Sequence, residues 1–419
     1  MNKLILITLI LFLTIDYSIA QVNTSSPYSR FGLGELDQKY LPEYNALGGG
    51  VTSLLNNKNI NRYNPATYIA FRKKSFLFST GGMHTTSNMK NSSDNQITNN
   101  TSFSHMTLGF KFNDKLAASC GLLPYSNTGY SYSSNILNNN VPAELIYSGD
   151  GGLANIYFGT AYLLNENISL GLNASYLFGS INRRKKIIFN DVSFLNSNSN
   201  IQDNIKGYFY TAGLIYKKNI SDLEKISLGL TFSNNTDIRL KRNYLTETFE
   251  YSGTFEISKD TTLNNTEWGY IVLPQNISVG ASYIKDEKLL LIIDYNKQYW
   301  SDYTLLGQQE YYLDISSFSM GVQYVPDYNS VKNYYKRVAY RFGFSYNELP
   351  IEINNIQLIE SSVSFGFGLP VKKSLTKYDF SVILARKGSI ENNLIREDYV
   401  KLGLSITYDG IWFLKRKYD

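Results

Sequence analysis

Few residues of this 419-residue chain have the types and spacing that catalysis or metal binding requires. His84 and His105 are the only histidines and Cys120 is the only cysteine, so a His/Cys zinc site of the usual ligand count cannot form. The nucleophile-elbow motif Gly-x-Ser-x-Gly is absent, and Gly32-Leu33-Gly34 lacks the third glycine of a dinucleotide loop. A membrane-embedded lipase could pair His105 with a serine, but such a site should face lipid, and we expect His105 to face inward. The sequence therefore predicts no enzyme, no metal and no cofactor.

The most repeated feature is a five-residue pattern in which apolar residues alternate with a polar residue and a glycine. It occurs at 106–110, 168–172, 226–230, 277–281, 318–322, 363–367 and 400–404. Because successive side chains of a strand point to opposite faces, each copy of the pattern places apolar groups on one face and mostly Ser or Gly on the other. A soluble sandwich buries the apolar face, whereas a transmembrane barrel turns it toward lipid. The alternation alone does not separate these two folds.

The first twenty residues have the features of a secretory signal peptide. Lys3 precedes an apolar core at 4–15, and Ser18-Ile19-Ala20 is a cleavage site before Gln21. No cysteine follows that site, so a lipid anchor is not expected. With 35 Tyr and 23 Phe, the chain could supply the aromatic girdles of a membrane barrel, although both residues also favour strands in general. The net charge of +5 argues against a nucleic-acid surface.

Fourteen alternating segments follow Phe71, and each is long enough to cross a bilayer as a tilted strand. We place them at 74–86, 102–112, 115–131, 152–163, 167–181, 203–218, 225–238, 267–285, 287–302, 310–325, 335–347, 355–370, 376–387 and 396–409. Tight turns alternate with polar stretches that we interpret as external loops, at 87–101, 132–151, 182–202 and 239–266. The sequence predicts an all-β fold, a 14-stranded antiparallel transmembrane β-barrel over residues 73–419, ending in a short periplasmic tail.

Residues 21–72 do not alternate and instead carry glycine-rich motifs followed by Asn64-Pro65-Ala66. This order, ahead of fourteen strands, resembles the FadL family of outer-membrane transporters for hydrophobic compounds. The resemblance implies an N-terminal hatch, or plug, inside the lumen. Its gate residues would be Gly32, Gly34, Gly48, Gly49, Asn64, Pro65 and Ala66. It also implies passive uptake of hydrophobic, long-chain fatty-acid-like compounds by a monomeric barrel in a Gram-negative outer membrane.

Inward glycines suggest where such a plug would sit. Fourteen strands enclose more space than wall side chains fill, so an open lumen would leak. Glycine weakens a strand unless another backbone must come close. The candidate seat comprises Gly109, Gly159, Gly171, Gly213, Gly229, Gly280, Gly321, Gly366 and Gly403. The alternative is that these glycines relieve crowding and help the sheet to curve.

The third segment contains a proline where a paired strand tolerates one poorly. Pro124 has no N–H to donate, and Gly121 beside it permits a bend. In FadL-type transporters a kinked third strand opens a lateral window to the membrane, which the resemblance assigns to Gly121, Leu122, Leu123, Pro124 and Tyr125. The alternative is an ordinary bulge with proline at a non-bonding position.

Two classes of function remain open on the sequence. The first is a hydrophobic-compound channel gated by the hatch, whose partners are outer-membrane lipid and a hydrophobic small molecule. The second is a non-conducting FadL-like barrel that serves as a structural or assembly subunit of an outer-membrane complex. We expect three charged residues in the lumen, Lys111, Arg341 and Asp379. A channel for hydrophobic compounds should instead be lined by apolar groups. These charges keep the second class open.

Overall fold

The computed structural model describes residues 24–36, 41–92, 94–138, 141–372, 374–391 and 394–411. The predicted signal peptide at 1–20 lies outside these residues, as do plug positions 21–23 and 37–40 and the tail from Trp412 onward. Within the part of the chain that is described, no helix is both long and apolar enough to cross a membrane.

Strands dominate the described residues. Their bounds are β1 Glu35–Leu36, β2 Ser75–Lys90, β3 Asn95–Lys111, β4 Leu116–Asn138, β5 Val141–Leu163, β6 Ile168–Phe189, β7 Asn196–Asn219, β8 Glu224–Ser233, β9 Thr236–Ser252, β10 Phe255–Leu273, β11 Asn276–Lys285, β12 Leu289–Gln298, β13 Thr304–Leu305, β14 Gln308–Gln309, β15 Ile315–Tyr324, β16 Ala339–Ile353, β17 Ile356–Pro370, β18 Lys377–Lys387 and β19 Arg396–Ile411. The single-turn helix α1 spans Pro42–Asn45, and 3-10 turns span Pro27–Arg30, Pro65–Ala70, Trp300–Asp302 and Tyr334–Arg337.

Antiparallel ladders join the wall strands into a closed barrel. β19 pairs with β2 along its whole length, from Arg396 opposite Lys90 to Ile411 opposite Ser75, which closes the sheet. β8 continues into β9, and β10 into β11, across two-residue interruptions, so each pair forms one bent wall strand. With these two pairs counted once, the wall has fourteen antiparallel strands, and the predicted fold class is confirmed.

The prediction that the four polar stretches form external loops is wrong, because most of their residues lie in strands. The β5–β6 ladder runs without interruption from Leu163 opposite Ser169 to Ala143 opposite Phe189, and it includes residues 143–151 and 182–189 of two of these stretches. Residues 239–266 likewise form the β9–β10 hairpin. Both faces of these segments meet water above the membrane, so they need no apolar alternation to remain paired. The outer end of the wall is therefore extended by tall hairpins.

Burial along the strands separates a membrane barrel from a soluble sandwich. In β6, Ser169 is 2% exposed, whereas its neighbours Leu170 and Leu172 are 41% and 50% exposed. The same inversion occurs in β8, where Ser227 is buried and Leu228 is exposed. An apolar exterior around a small, polar interior face is the arrangement of a barrel that faces lipid. Short connections mark one end of the barrel as periplasmic and the tall hairpins mark the other as external.

Residues of the N-terminal region provide much of the interior packing. We call residues 24–36 the N-terminal segment and residues 41–72 the plug body. The largest buried apolar cluster joins plug-body side chains to inward wall side chains. Its fully buried large members include Leu41, Tyr44, Leu47, Leu54, Ile60, Tyr68 and Phe71 from the plug body and Leu77, Leu123 and Tyr157 from the wall. Without the plug body, these wall residues would line an empty lumen.

Candidate functional site in the barrel lumen

The Asn-Pro-Ala motif joins the plug body to the wall. The Asn64 side chain accepts a hydrogen bond from Ala66 N at 3.1 Å, which caps the following 3-10 turn. Its amide donates to Thr52 O at 2.7 Å and to Leu214 O of β7 at 3.2 Å. Asn64 thus binds two plug elements and one wall strand together, and Pro65 fixes the backbone at the first position of the turn.

All nine candidate seat glycines lie against the plug body. A Cβ atom at Gly213 would approach Asn64 and Pro65, and one at Gly229 would meet the Thr52 backbone, at distances under 3.0 Å that real Cβ atoms essentially never show. The plug residues nearest to the other seven are Phe71 and Ile60 at Gly109, Tyr68 at Gly159, Ala66 and Pro65 at Gly171, Thr52 at Gly280, Leu47 at Gly321, Ala46 at Gly366 and Pro42 at Gly403. Glycine therefore lets the backbones of plug and wall approach each other around the barrel.

Sequence reasoning missed a tenth such position, Gly343 of β16. A Cβ atom there would lie under 3.0 Å from Leu47 and Gly48 of the plug body. The signal was available, because Phe342-Gly343-Phe344 shows the same alternation of aromatic residues around a glycine, and Phe342 is exposed.

The four candidate gate glycines occupy turns of the N-terminal segment and the plug body. Their φ angles are +53° at Gly32, +90° at Gly34, +65° at Gly48 and +81° at Gly49, in the region that favours glycine. At Gly34 a Cβ atom would also collide with the backbone of Asn127, and at Gly48 with that of Phe344. These two positions require glycine for both conformation and close approach.

The ladder between β3 and β4 ends where the sequence places the candidate window. It runs from Lys111 opposite Ala117 to Met106 opposite Leu122, and no β3 residue pairs with β4 beyond that point in the described chain. Pro124 pairs with β5, and Tyr125 is the extra residue of a bulge that follows. Gly121 faces the lumen against Tyr157, while Leu123 belongs to the buried cluster shared with the plug body.

The N-terminal segment occupies the space that opens between β3 and β4. β1 pairs with β4, with Glu35 opposite Asn127 and Leu36 opposite Ser126. Further along, Ser29 Oγ accepts a hydrogen bond from Gly129 N of β4 at 3.0 Å, and Ser25 contacts the Asn100 side chain of β3 at 3.3 Å. The segment therefore contacts both edges of the interrupted wall.

An ion cluster in which Lys387 and Glu397 are buried and Glu35 is partly exposed holds the N-terminal segment at its external end. Lys387 of β18 contacts Glu35 and also lies 3.2 Å from Glu397 of β19, which accepts a hydrogen bond from Ser26 Oγ at 2.5 Å. Burial alone would raise the pKa of Glu35, but the charge and hydrogen bond of Lys387 outweigh it and lower that pKa to about 2. Sequence reasoning missed this cluster.

This cluster predicts an acid-dependent release of the N-terminal segment. Because the folded-state pKa of Glu35 lies below its usual 4.5, its stabilising contribution is complete above about pH 4.5 and is lost as the pH falls toward 2. A fluorophore on Ser25→Cys, in a Cys120→Ser background, should report release across that window. With Glu35→Gln, the segment should already be looser at pH 7 and change less. Identical pH profiles for the two proteins would contradict the assignment.

A second ion cluster lies in the lumen toward the periplasmic end. Asp379 is fully buried, accepts a hydrogen bond from Arg341 at 2.6 Å and forms an ion pair with Lys377 at 2.7 Å. The Lys377 ammonium also donates to Asn59 of the plug body, and Ser405 donates to Glu43 of α1 at 3.3 Å. Arg341 and Asp379 thus lie inside the lumen as the sequence suggests, and Lys111 donates to Ile69 O of the plug body at 2.6 Å.

The cavities on the external side of the plug body are lined by charged as well as apolar side chains. One of about 210 Å³ lies beside the N-terminal segment. Its lining combines Phe31, Leu36, Trp300 and Ile315 with Glu35, Glu348, Glu360, Lys387, Glu397 and Lys401. Another of about 190 Å³ places Tyr125 and Phe209 near Arg62 and Asp294. A hydrophobic solute that entered these spaces would displace the solvation of charged groups, which is costly.

His105 faces the lumen, as expected, but in a setting that does not resemble a hydrolase site. Its Nε2 lies 2.9 Å from Ser79 Oγ and its Nδ1 lies 2.7 Å from Ser104 Oγ. Both ring nitrogens are thus occupied by serine hydroxyls, and no carboxylate among the described residues bonds to the ring. The third member of a Ser-His-Asp arrangement is missing there.

The geometry defines the class of protein, which is a 14-stranded membrane barrel with an N-terminal plug of the FadL type. Comparison with solved structures supports that class. The Pseudomonas putida toluene transporter TodX is similar with a TM-score of 0.60 at 17% identity, covering 90% of this chain and 99% of that one. The Ralstonia pickettii toluene transporter TbuX has a TM-score of 0.60 at 15% identity, covering 88% and 98%. A Pseudomonas aeruginosa FadL homologue has a TM-score of 0.58 at 12% identity, covering 91% and 100%.

The family model named BamG matches residues 1–419, and the chain belongs to the BamG family. No curated protein matches this chain in sequence. The resemblance to the FadL fold is confirmed, and the fold indicates a Gram-negative outer-membrane protein. At identities below one fifth, the solved structures establish the fold alone.

Proposed function

We propose that this protein is a plugged outer-membrane barrel that acts as a subunit of an outer-membrane protein complex. The observation that carries the proposal is the free edge of β10. From Phe255 to Gly269, β10 pairs with β9 on one side only, and among the described residues its other edge bonds at Tyr270 to Leu306 and pairs with β13 at Ile271 and Val272. The family name BamG supports membership of a complex.

A free strand edge invites pairing with another chain. Proteins that work alone shorten, cover or charge such edges, because the unpaired N–H and C=O groups bind other strands. β10 is long, and its apolar side chains Phe255, Ile257 and Leu263 are exposed near the tip of the external hairpin. Trp268 and Tyr270 lie lower, at a depth that suits the aromatic girdle. The upper part of β10 therefore fits strand addition by a partner outside the membrane.

The interior supports a structural role rather than conduction. The plug body meets glycines of many wall strands, and ion clusters hold the N-terminal region at both its external and its periplasmic end. The N-terminal segment occupies the interruption between β3 and β4. A solute could cross only by displacing these contacts together.

The proposal predicts that charges on the β10 edge disrupt the complex. Ile257→Lys combined with Leu263→Lys should shift the native mass of the protein, extracted in mild detergent, from that of a complex to that of a single barrel. Lysine on an edge strand opposes further pairing. The control, Leu137→Lys with Val192→Lys, places the same charges on exposed apolar positions of other external hairpins. A wild-type protein that runs as a single barrel would contradict the proposal.

The second candidate is passive uptake of hydrophobic compounds with lateral exit, gated by the hatch residues. The end of the β3–β4 ladder at Leu122 and the bulge after Pro124 favour it, because they remove wall hydrogen bonds beside Tyr125. The solved structures it resembles are described as transporters and channels. For that function, the N-terminal segment would have to leave the interruption while solute passes.

A further inference from the structure

The periplasmic end of the lumen contains an open cavity that neither candidate function uses. It has a volume of about 400 Å³, which is within the range of about 300–1,000 Å³ typical of ligand sites. One side is formed by residues 54–59 and Ala70 of the plug body, and the rest by the periplasmic ends of β7, β8, β11, β12 and β15–β18 with their connections.

The lining is strongly basic. Its cations are Lys58, Lys217, Lys225, Arg337, Arg341 and Lys377, and its only carboxylate is Glu287. Asp379, which lies behind the lining, forms ion pairs with both Arg341 and Lys377. Lys217, Lys225 and Arg337 have no carboxylate partner among the described residues, and Lys58 lies over the Tyr328 ring at 3.5 Å. The positive charge of this cavity is therefore not balanced from within the described chain.

Arg337 adds a hydrogen-bond donor that lacks an acceptor in the part of the chain that is described. Its Nε is shielded from solvent and has no hydrogen-bond partner among the described residues. A buried donor without an acceptor is costly, so an incoming acceptor at this position would gain a strong, charge-assisted hydrogen bond. Arg337 ends the 3-10 turn in the connection 325–338, which is the longest described connection at this end of the barrel.

Apolar groups accompany the charges. Leu54, Leu290 and Val325 line the cavity wall. Beside the cavity, the 325–338 connection exposes Val331 and Tyr335, whose side chains are 88% and 78% exposed. A small inorganic anion would use the cations and leave these apolar groups unused. A peptide that alternates acidic and apolar side chains would use both.

We propose that this cavity binds an acidic, partly apolar peptide segment of a periplasmic protein. Lys217, Lys225 and Arg337 receive its carboxylates, and the leucines and Val325 receive its apolar side chains. The inference does not depend on the proposed external partner, because the cavity lies at the opposite end of the barrel from the β10 edge.

The test uses the full-length protein in detergent and a short fluorescein-labelled peptide of alternating Glu and Leu. Fluorescence anisotropy should show saturable binding that weakens with salt, since screening reduces charge attraction. Lys217→Gln with Lys225→Gln should weaken it about tenfold, equivalent to about 1.4 kcal/mol for two ion pairs. The control is Lys115→Gln with Lys218→Gln, which removes the same charge from exposed positions at the same end.

Four results would overturn the proposal. The first is the absence of saturable binding, and the second is equal weakening by the control pair. The third is equally tight binding of a Lys-Leu peptide, which would indicate adsorption to the micelle. Displacement of the Glu-Leu peptide by inorganic phosphate at similar concentration would also overturn it, in favour of a small-anion site. None of these results would alter the native-mass test of the β10 edge.

Discussion

Asp379→Ala is expected to reduce the free energy of unfolding by about 3–5 kcal/mol, because it leaves buried cations without their counter-charge. Arg341 and Lys377 are both more than 90% buried, and each bonds to this one carboxylate. Lys377 also holds Asn59, so the substitution should loosen the plug body. Urea unfolding of the barrel in lipid vesicles, followed by tryptophan fluorescence, would measure the loss.

A matched control separates the buried cluster from ion pairs in general. Asp398→Ala removes the partner of Arg386, whose side chain is 61% exposed, and should cost less than about 1 kcal/mol. Replacing the whole buried cluster with Arg341→Met, Lys377→Met and Asp379→Leu should recover much of the loss, since apolar groups need no counter-charge. Equal costs for Asp379→Ala and Asp398→Ala would show that the cluster does not stabilise the fold.

Gly229→Leu is expected to displace the plug body while the barrel stays folded. A Cβ atom at Gly229 would lie under 3.0 Å from the Thr52 backbone, which cannot rotate away as a side chain could. Overpacking of this kind typically costs about 1–3 kcal/mol. Limited proteolysis should cleave the variant at Lys58 or Arg62 under conditions in which the wild-type plug resists.

The control for this substitution is Ala281→Leu, which enlarges an exposed residue on the lipid side of the neighbouring strand. It should leave the resistance of the plug unchanged. If Gly229→Leu resists proteolysis as well as Ala281→Leu, the glycines relieve crowding or aid curvature and do not seat the plug.

Alternation in the sequence was enough to predict the wall, because a side-chain period of two is a local property. The expected segment 167–181 became β6 at Ile168–Phe189, which begins at the predicted place and ends later. The late end has a physical cause, since strands above the membrane continue to pair without apolar alternation. The polar tract 239–266 misled the prediction for the same reason.

Contacts between distant parts of the chain were not predictable in this way. Glu35 and Lys387 are 352 positions apart, and their contact depends on how β1 lies along β4. Pro124 indicated a disturbed ladder, but nothing local indicated that the N-terminal segment would occupy the interruption. The inward glycines were found because they share one depth, which requires only the strand register and the topology.

Uptake of a labelled hydrophobic solute into proteoliposomes tests the central claim most directly. A non-conducting complex subunit predicts that the wild-type protein takes up no more solute than vesicles containing a denatured sample. Pro124→Val, which restores a backbone donor at the interruption, should behave identically. Uptake by the wild type that Pro124→Val abolishes would contradict the account and establish the lateral-exit channel in its place.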